Sequence, residues 1–170
     1  TGTADLDLTL TQDTPPELRL TSDLTGLGLS FAPVGWAKAA ATPGDLEVAL
    51  TLGPVPQVDL LRLEAPGLRA EGDVLLHEGG TLDRVRLSQL RVEGWLDVPA
   101  ELIGRGDGVA PAVNIPGGRV DLRQADFGSA GGSGQAGGPL TLVLDTLQVS
   151  NSIALRNLRG EFTTGGGGLL

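Results

Sequence analysis

The side chains able to do chemistry are few, and their spacing sets narrow limits. The one histidine, His77, stands in VLLHEGG (74–80) beside Glu78. Histidine titrates near neutral pH and serves as a general base or a zinc ligand, but a typical zinc site needs several His, Cys or carboxylate ligands at defined spacings. The chain has no cysteine and Glu78 is only a sequence neighbour, so His77 reads as a solvated turn residue. Asp5 and Asp7 are two residues apart, which puts both carboxylates on one face of a strand, as acid/base work or a hard cation would require. No histidine or ligand-rich loop accompanies them, and a solvated face is the expectation. There is no G-x-S-x-G elbow, Walker loop or calcium loop, and the glycine run at 128–138 is not followed by a helix whose N-terminus would hold phosphate. Catalytic groups must be held to about half an ångström by a supporting shell. Turns and hairpins with one His and no Tyr or Cys hardly supply that. The reading is therefore no enzyme, no catalytic residue, no metal and no cofactor.

The elements that carry these residues are strands. In TADLDLTLT (3–11), Ala4, Leu6, Leu8 and Leu10 alternate with Asp5, Asp7, Thr9 and Thr11. That period of two marks a half-buried strand. It recurs in 17–24, 27–31, 45–52, 67–76, 90–98, 118–127 and 139–147, and more weakly in 57–64, 81–87 and 152–162, each closed by Gly, Pro or Asp. The fold class is all-β: about ten strands in an elongated, curved, mostly antiparallel sheet. The best helical stretch, GWAKAAAT (35–42), lies between two prolines without an apolar stripe and reads as a loop. The Gly/Ser-rich GSAGGSGQAGG (128–138) reads as a flexible loop. It divides a main strand array, 1–127, from further strands, 139–170, and the glycines of 163–168 read as a second connection.

Composition bounds the function. Twelve basic against 21 acidic residues give a net charge of −9, and aromatics are 3%. Nucleic-acid binding needs a basic stripe and stacking aromatics, so nucleic acid is excluded as a partner and an anionic membrane surface is disfavoured. Absence of cysteine leaves the compartment open. No run of 18 apolar residues occurs, so no transmembrane segment is visible. The apolar positions are overwhelmingly leucine, where strands usually favour Val, Ile and aromatics. Leucine is adaptable and suits acyl chains, and it is equally what a GC-rich code writes into an ordinary core. The five aromatics, Phe31, Trp36, Trp95, Phe127 and Phe162, are few for a tight sandwich. Trp95 reads as an outer-face ring covering Gly94 or Gly72. An open apolar concavity is one expectation; a closed β-sandwich with an acidic partner-binding surface is the alternative.

Longer strings carry a resemblance: GLGLSFAPVGWAK (26–38), LEAPGLRAEGDVLL (63–76), LSQLRVEGWLDVPAELIGRG (87–106) and PLTLVLDTLQVSNSIALRNLRGEFTTGGG (139–167). In order, they resemble the YhdP-like branch of the AsmA-like and TamB-like envelope proteins of Gram-negative, particularly alphaproteobacterial, cells. The resemblance implies an internal segment of a much longer chain. That chain would be tethered to the inner membrane by a part not included here and would span the periplasm as a taco-like β groove carrying phospholipid towards the outer membrane. The implied partners are phospholipid acyl chains and flanking segments of the same parent chain, with membrane contact through other parts of the parent. Mapped by alternation, the implied groove lining is Leu6, Leu8, Leu10, Leu46, Val48, Leu50, Leu52, Val74, Leu76, Val92, Leu96, Val120, Leu122, Leu140, Leu142, Leu144, Ile153 and Leu155. The acidic residues Asp5, Asp7, Glu47, Asp73, Glu93 and Asp121 would keep the convex side wet.

Overall fold

The computed structural model describes residues 3–31, 34–125, 138–165 and 168–169. The loop expected at 128–138 lies outside them except for Gly138, as does part of the 163–168 connection. The strands are β1 (Ala4–Thr9), β2 (Glu17–Ser22), β3 (Leu29–Phe31), β4 (Trp36–Lys38), β5 (Asp45–Thr51), β6 (Gln57–Ala65) and β7 (Leu68–Leu76). They continue as β8 (Leu82–Val92), β9 (Leu96–Ile103), β10 (Ala112–Ile115), β11 (Arg119–Asp121), β12 (Pro139–Gln148), β13 (Ala154–Gly165) and β14 (Gly168–Leu169). Twelve form one sheet, in the order β1-β2-β5-β6-β7-β8-β9-β10-β12-β13-β14, with β11 also between β9 and β12. β3 and β4 make a separate hairpin. The all-β, mostly antiparallel sheet expected from the alternation is what the chain forms. Residues on both sides of 128–138 share that sheet, because β10 and β11 pair with β12. Those two pairings are parallel, the exceptions in an otherwise antiparallel sheet.

Several boundaries differ from the alternation, for physical reasons. The apparent strand 90–98 is a hairpin: Val92 stands opposite Leu96, and Gly94 takes a φ of 87° in the turn between them. A three-residue turn leaves Leu90, Val92, Leu96 and Val98 at even separations, so the alternation runs through it undisturbed. The expected loop at 35–42 contains β4, with Trp36 and Lys38 buried. Among the described residues of 118–127, which end at 125, Arg119–Asp121 is strand; the Asp121 carboxylate then accepts from the Arg123 backbone N–H, closing a turn that leaves Leu122 exposed. Trp95 is in the β8–β9 turn and packs against the core.

Register shifts interrupt the ladders of β6 with its neighbours near Asp59, and of β8 near Ser88. An extra residue bends a strand and increases its twist, so these bulges curve the sheet. One tight interstrand approach is at Gly72, where an added Cβ would strike the Arg86 carbonyl. Backbone cannot yield there as a flexible side chain would. Gly72→Ala is expected to destabilise the protein by about 1–3 kcal/mol, read as a lower urea midpoint; an unchanged midpoint would mean that β7 and β8 have room to separate.

Candidate functional site

Pairing places the apolar side chains in rows that cross the sheet. One row runs Leu8, Leu18, Leu50, Val58, Val74, Val85, Leu102, Val113, Leu140, Phe162, each the register partner of the next. It crosses β1, β2, β5 to β10, β12 and β13 without a polar interruption, and at about 4.8 Å per strand it measures roughly 43 Å. None of its members is buried, and Leu8 is 53% exposed. A parallel row, Leu6, Leu20, Val48, Leu61, Gly72, Leu87, Ala100, shares the same face.

The opposite lip of this face is sealed. There the row Ala65, Leu68, Val92, Leu96, Val120 is buried throughout and continues to the half-buried Leu147 and exposed Leu155. Val98 and Leu144, at 2% and 1% exposure, belong to the same cluster. A side chain on a flat single sheet keeps its outer end wet, so such burial requires the sheet to curl over itself and to be covered. Trp36 and Val34 of the β3–β4 hairpin join that cluster, and the Trp36 indole N–H donates to the Pro66 carbonyl at 2.9 Å. The hairpin is held from within by Lys38, 5% exposed, whose ammonium donates to the carbonyls of Leu24, Leu27 and Ala39 at 2.8, 2.9 and 3.3 Å. Three acceptors satisfy the three donors of a lysine, which is how a buried ammonium is tolerated here.

The face also absorbs a change of parity. Leu144 and Leu147 are an odd number of residues apart, yet both pack on the core. Between them the register skips the pair Asp145 and Asn157, and Asn157 takes a φ of 53°. On the other side of β12, the Gly118 N–H donates to Asp145 Oδ2 at 3.0 Å, and Gly118 has a φ of 97°. This line of kinks turns Leu147 inward.

The mapped lining residues divide accordingly. Leu8, Leu50, Val74 and Leu140 lie in the open row, and Leu6 and Val48 in the row beside it. Leu6 and Leu10 are highly exposed, while Leu46, Leu52, Leu76 and Leu142 are half-buried. Val92, Leu96, Val120 and Leu144 are core residues of the sealed lip, so an open lining position is corrected for these four. Leu122 is in a turn, and Ile153 precedes β13 at the surface. Alternation missed Leu18, Val58, Val85 and Phe162, which lie in alternating stretches, and Leu102 and Val113, which lie outside them. What identifies them is register, which no single strand carries.

The convex face is polar and charge-paired. Glu47 accepts from the Arg19 guanidinium and forms a 3.2 Å ion pair with Arg62, which pairs with Glu71 at 3.3 Å. Arg84 pairs with Glu101 at 2.9 Å, and Arg86 with Asp73 at 3.8 Å. Asp121 pairs with Arg123 at 2.6 Å. The wet acidic face expected from the sequence is therefore a ladder of alternating signs, in which Glu47, Asp73 and Asp121 are paired. The Arg19 hydrogen bond, opposed in part by desolvation and aided by the charges of Arg19 and Arg62, holds the Glu47 carboxyl below its ordinary value of 4.5. A lowered folded value gives stability that is complete above the unfolded value and is lost as pH falls through the folded one. Glu47→Gln is accordingly expected to flatten the loss of stability below pH 4.5, measured as urea midpoints across that range. A profile identical to the parent would show that the pair contributes nothing to stability.

His77 is exposed, with Nε2 3.6 Å from Asp83 Oδ1. Among the described residues no three His, Cys, Asp or Glu side chains gather around a point where a metal would sit, and no helix is long and apolar enough to cross a membrane. Comparison with family models, with curated proteins and with solved structures returns no match to this chain.

Proposed function

We propose that this chain is a length of lipid-conducting groove: a non-catalytic segment whose apolar face holds the acyl chains of phospholipid and lets them move along the sheet. The supporting observation is the unbroken apolar row from Leu8 to Phe162, none of whose members is buried. Burial of an acyl chain gains about 0.8 kcal/mol per methylene over water, which favours retention. Ten aliphatic and aromatic positions in sequence offer neighbouring sites of similar affinity, so no position acts as a trap. The sealed lip would form the rigid spine of the groove and the open row its working surface. Taken with the resemblance, the place of action is the periplasm, tethered to the inner membrane through another part of the parent chain.

A second reading, a closed β-domain that binds a partner through its charged surface, is favoured by the buried cluster around Leu144 and Val98. The two readings part on one experiment. The segment is purified from a bacterial periplasm under mild conditions, and its bound molecules are read by native mass spectrometry, with Val58→Asp alongside. Val58 lies in the open row and outside the buried cluster, so this variant is expected to keep its fold. Phospholipid on the parent and none on the folded variant is the expected outcome. A folded, lipid-free parent would overturn the groove and favour the closed domain.

A further inference from the structure

The charge ladder of the convex face alternates in sign from strand to strand: Glu71 on β7, Arg62 on β6, Glu47 on β5 and Arg19 on β2. It reaches β1 at Asp7, the register partner of Arg19, with Asp5 on the same face opposite Thr21. Among the described residues, neither Asp5 nor Asp7 has an ion pair, since Arg19 is directed to Glu47, and β1 has no strand on its outer side. On the concave face of β1, Leu6 and Leu8 are 62% and 53% exposed. An edge strand with free backbone groups is a template for one more strand, and proteins usually blunt such edges with charged side chains, above all lysine, with proline or with a bulge. β1 has no lysine, proline or bulge, and its charges are the two aspartates of ADLDLT, in continuous register with β2.

We propose that the β1 edge is a docking site for an extended strand in which apolar and basic residues alternate. Main-chain hydrogen bonds to β1 supply its attachment, as in strand addition to a sheet edge. Its apolar side chains continue the rows that end at Leu6 and Leu8, and its basic side chains stand beside Asp5 and Asp7 as the next rung of the ladder. Like charges directly opposite one another on a sheet are unfavourable, so an acidic strand is rejected. The net charge of −9 also disfavours a second copy of this chain as the occupant.

The test uses fluorescent peptides matched in length to β1, at an ionic strength where the Debye length is about 8 Å. One alternates Arg and Leu, one has the same composition in two blocks, and one alternates Glu and Leu. The alternating Arg/Leu peptide is expected to bind the protein and to protect the backbone amides of residues 4–9 from hydrogen exchange. In the double variant Asp5→Arg, Asp7→Arg its affinity falls about tenfold or more, while the Glu/Leu peptide gains affinity by a similar factor. Both residues are exposed and unpaired, so the variant keeps its fold, checked by circular dichroism. Equal binding of the block peptide, no exchange of preference in the double variant, or β1 amides already protected by self-association would each overturn the proposal.

Discussion

Leu144→Asp is expected to leave the protein unfolded. Leu144 is 1% exposed within a cluster that includes Val98, Val120 and Leu96. Truncating a buried leucine costs about 2–5 kcal/mol, and a carboxylate placed there stands among apolar side chains. Burying such a group unpaired costs several kcal/mol more. The sum is comparable to the whole stability of a domain of this size, about 5–15 kcal/mol. Far-ultraviolet circular dichroism and urea titration read the result directly. A folded Leu144→Asp variant with an unchanged midpoint would show that this face is not closed over Leu144. The contrast with Val58→Asp is the informative part: two apolar strand residues of one sheet face, one expected to unfold the protein and the other only to empty it.

Trp36→Ala is expected to cost about 3–5 kcal/mol. The hairpin formed by β3 and β4 contributes Trp36 and Val34 to the core, and the indole also donates to the Pro66 carbonyl. Without the ring, the hairpin loses its main contact with the sheet, and the row from Ala65 to Val120 becomes accessible. The variant should therefore bind an apolar dye more strongly than the parent at equal concentration, besides unfolding at lower urea. Trp36→Phe separates the two contributions. It keeps most of the apolar area and removes the donor, with an expected loss of about 1 kcal/mol from the hydrogen bond. A Trp36→Ala variant with the parent's midpoint and dye binding would mean that the sheet seals its own lip and the hairpin is a passenger.

Much of the fold was legible before any coordinates. Local alternation marked β1, β2, β5, β7 and β12, because a half-buried strand displays its two faces within its own residues. Short or irregular elements were not legible for the converse reason. β4 is three residues whose alternation is hidden among alanines, and β10 offers only AVNI. The β8–β9 turn preserved parity and so passed for strand. The change of face between Leu144 and Leu147 depends on Asn157 and Gly118, which belong to other strands.

The candidate site divides along the same line. The sequence by itself determined that the chain is all-β and that its strands present one leucine-rich face and one charged face. Those properties depend on side-chain type and a period of two, which neighbours along the chain fully specify. Only the tertiary structure decided which leucines are buried and which lie open. Leu8 and Leu144 look alike in their alternating strings, yet one is 53% exposed and the other 1%. Burial depends on what stands across the sheet and above it. Strand register, the curl imposed by bulges and the hairpin carrying Trp36 bring together residues far apart in sequence, and alternation within one strand carries no information about them.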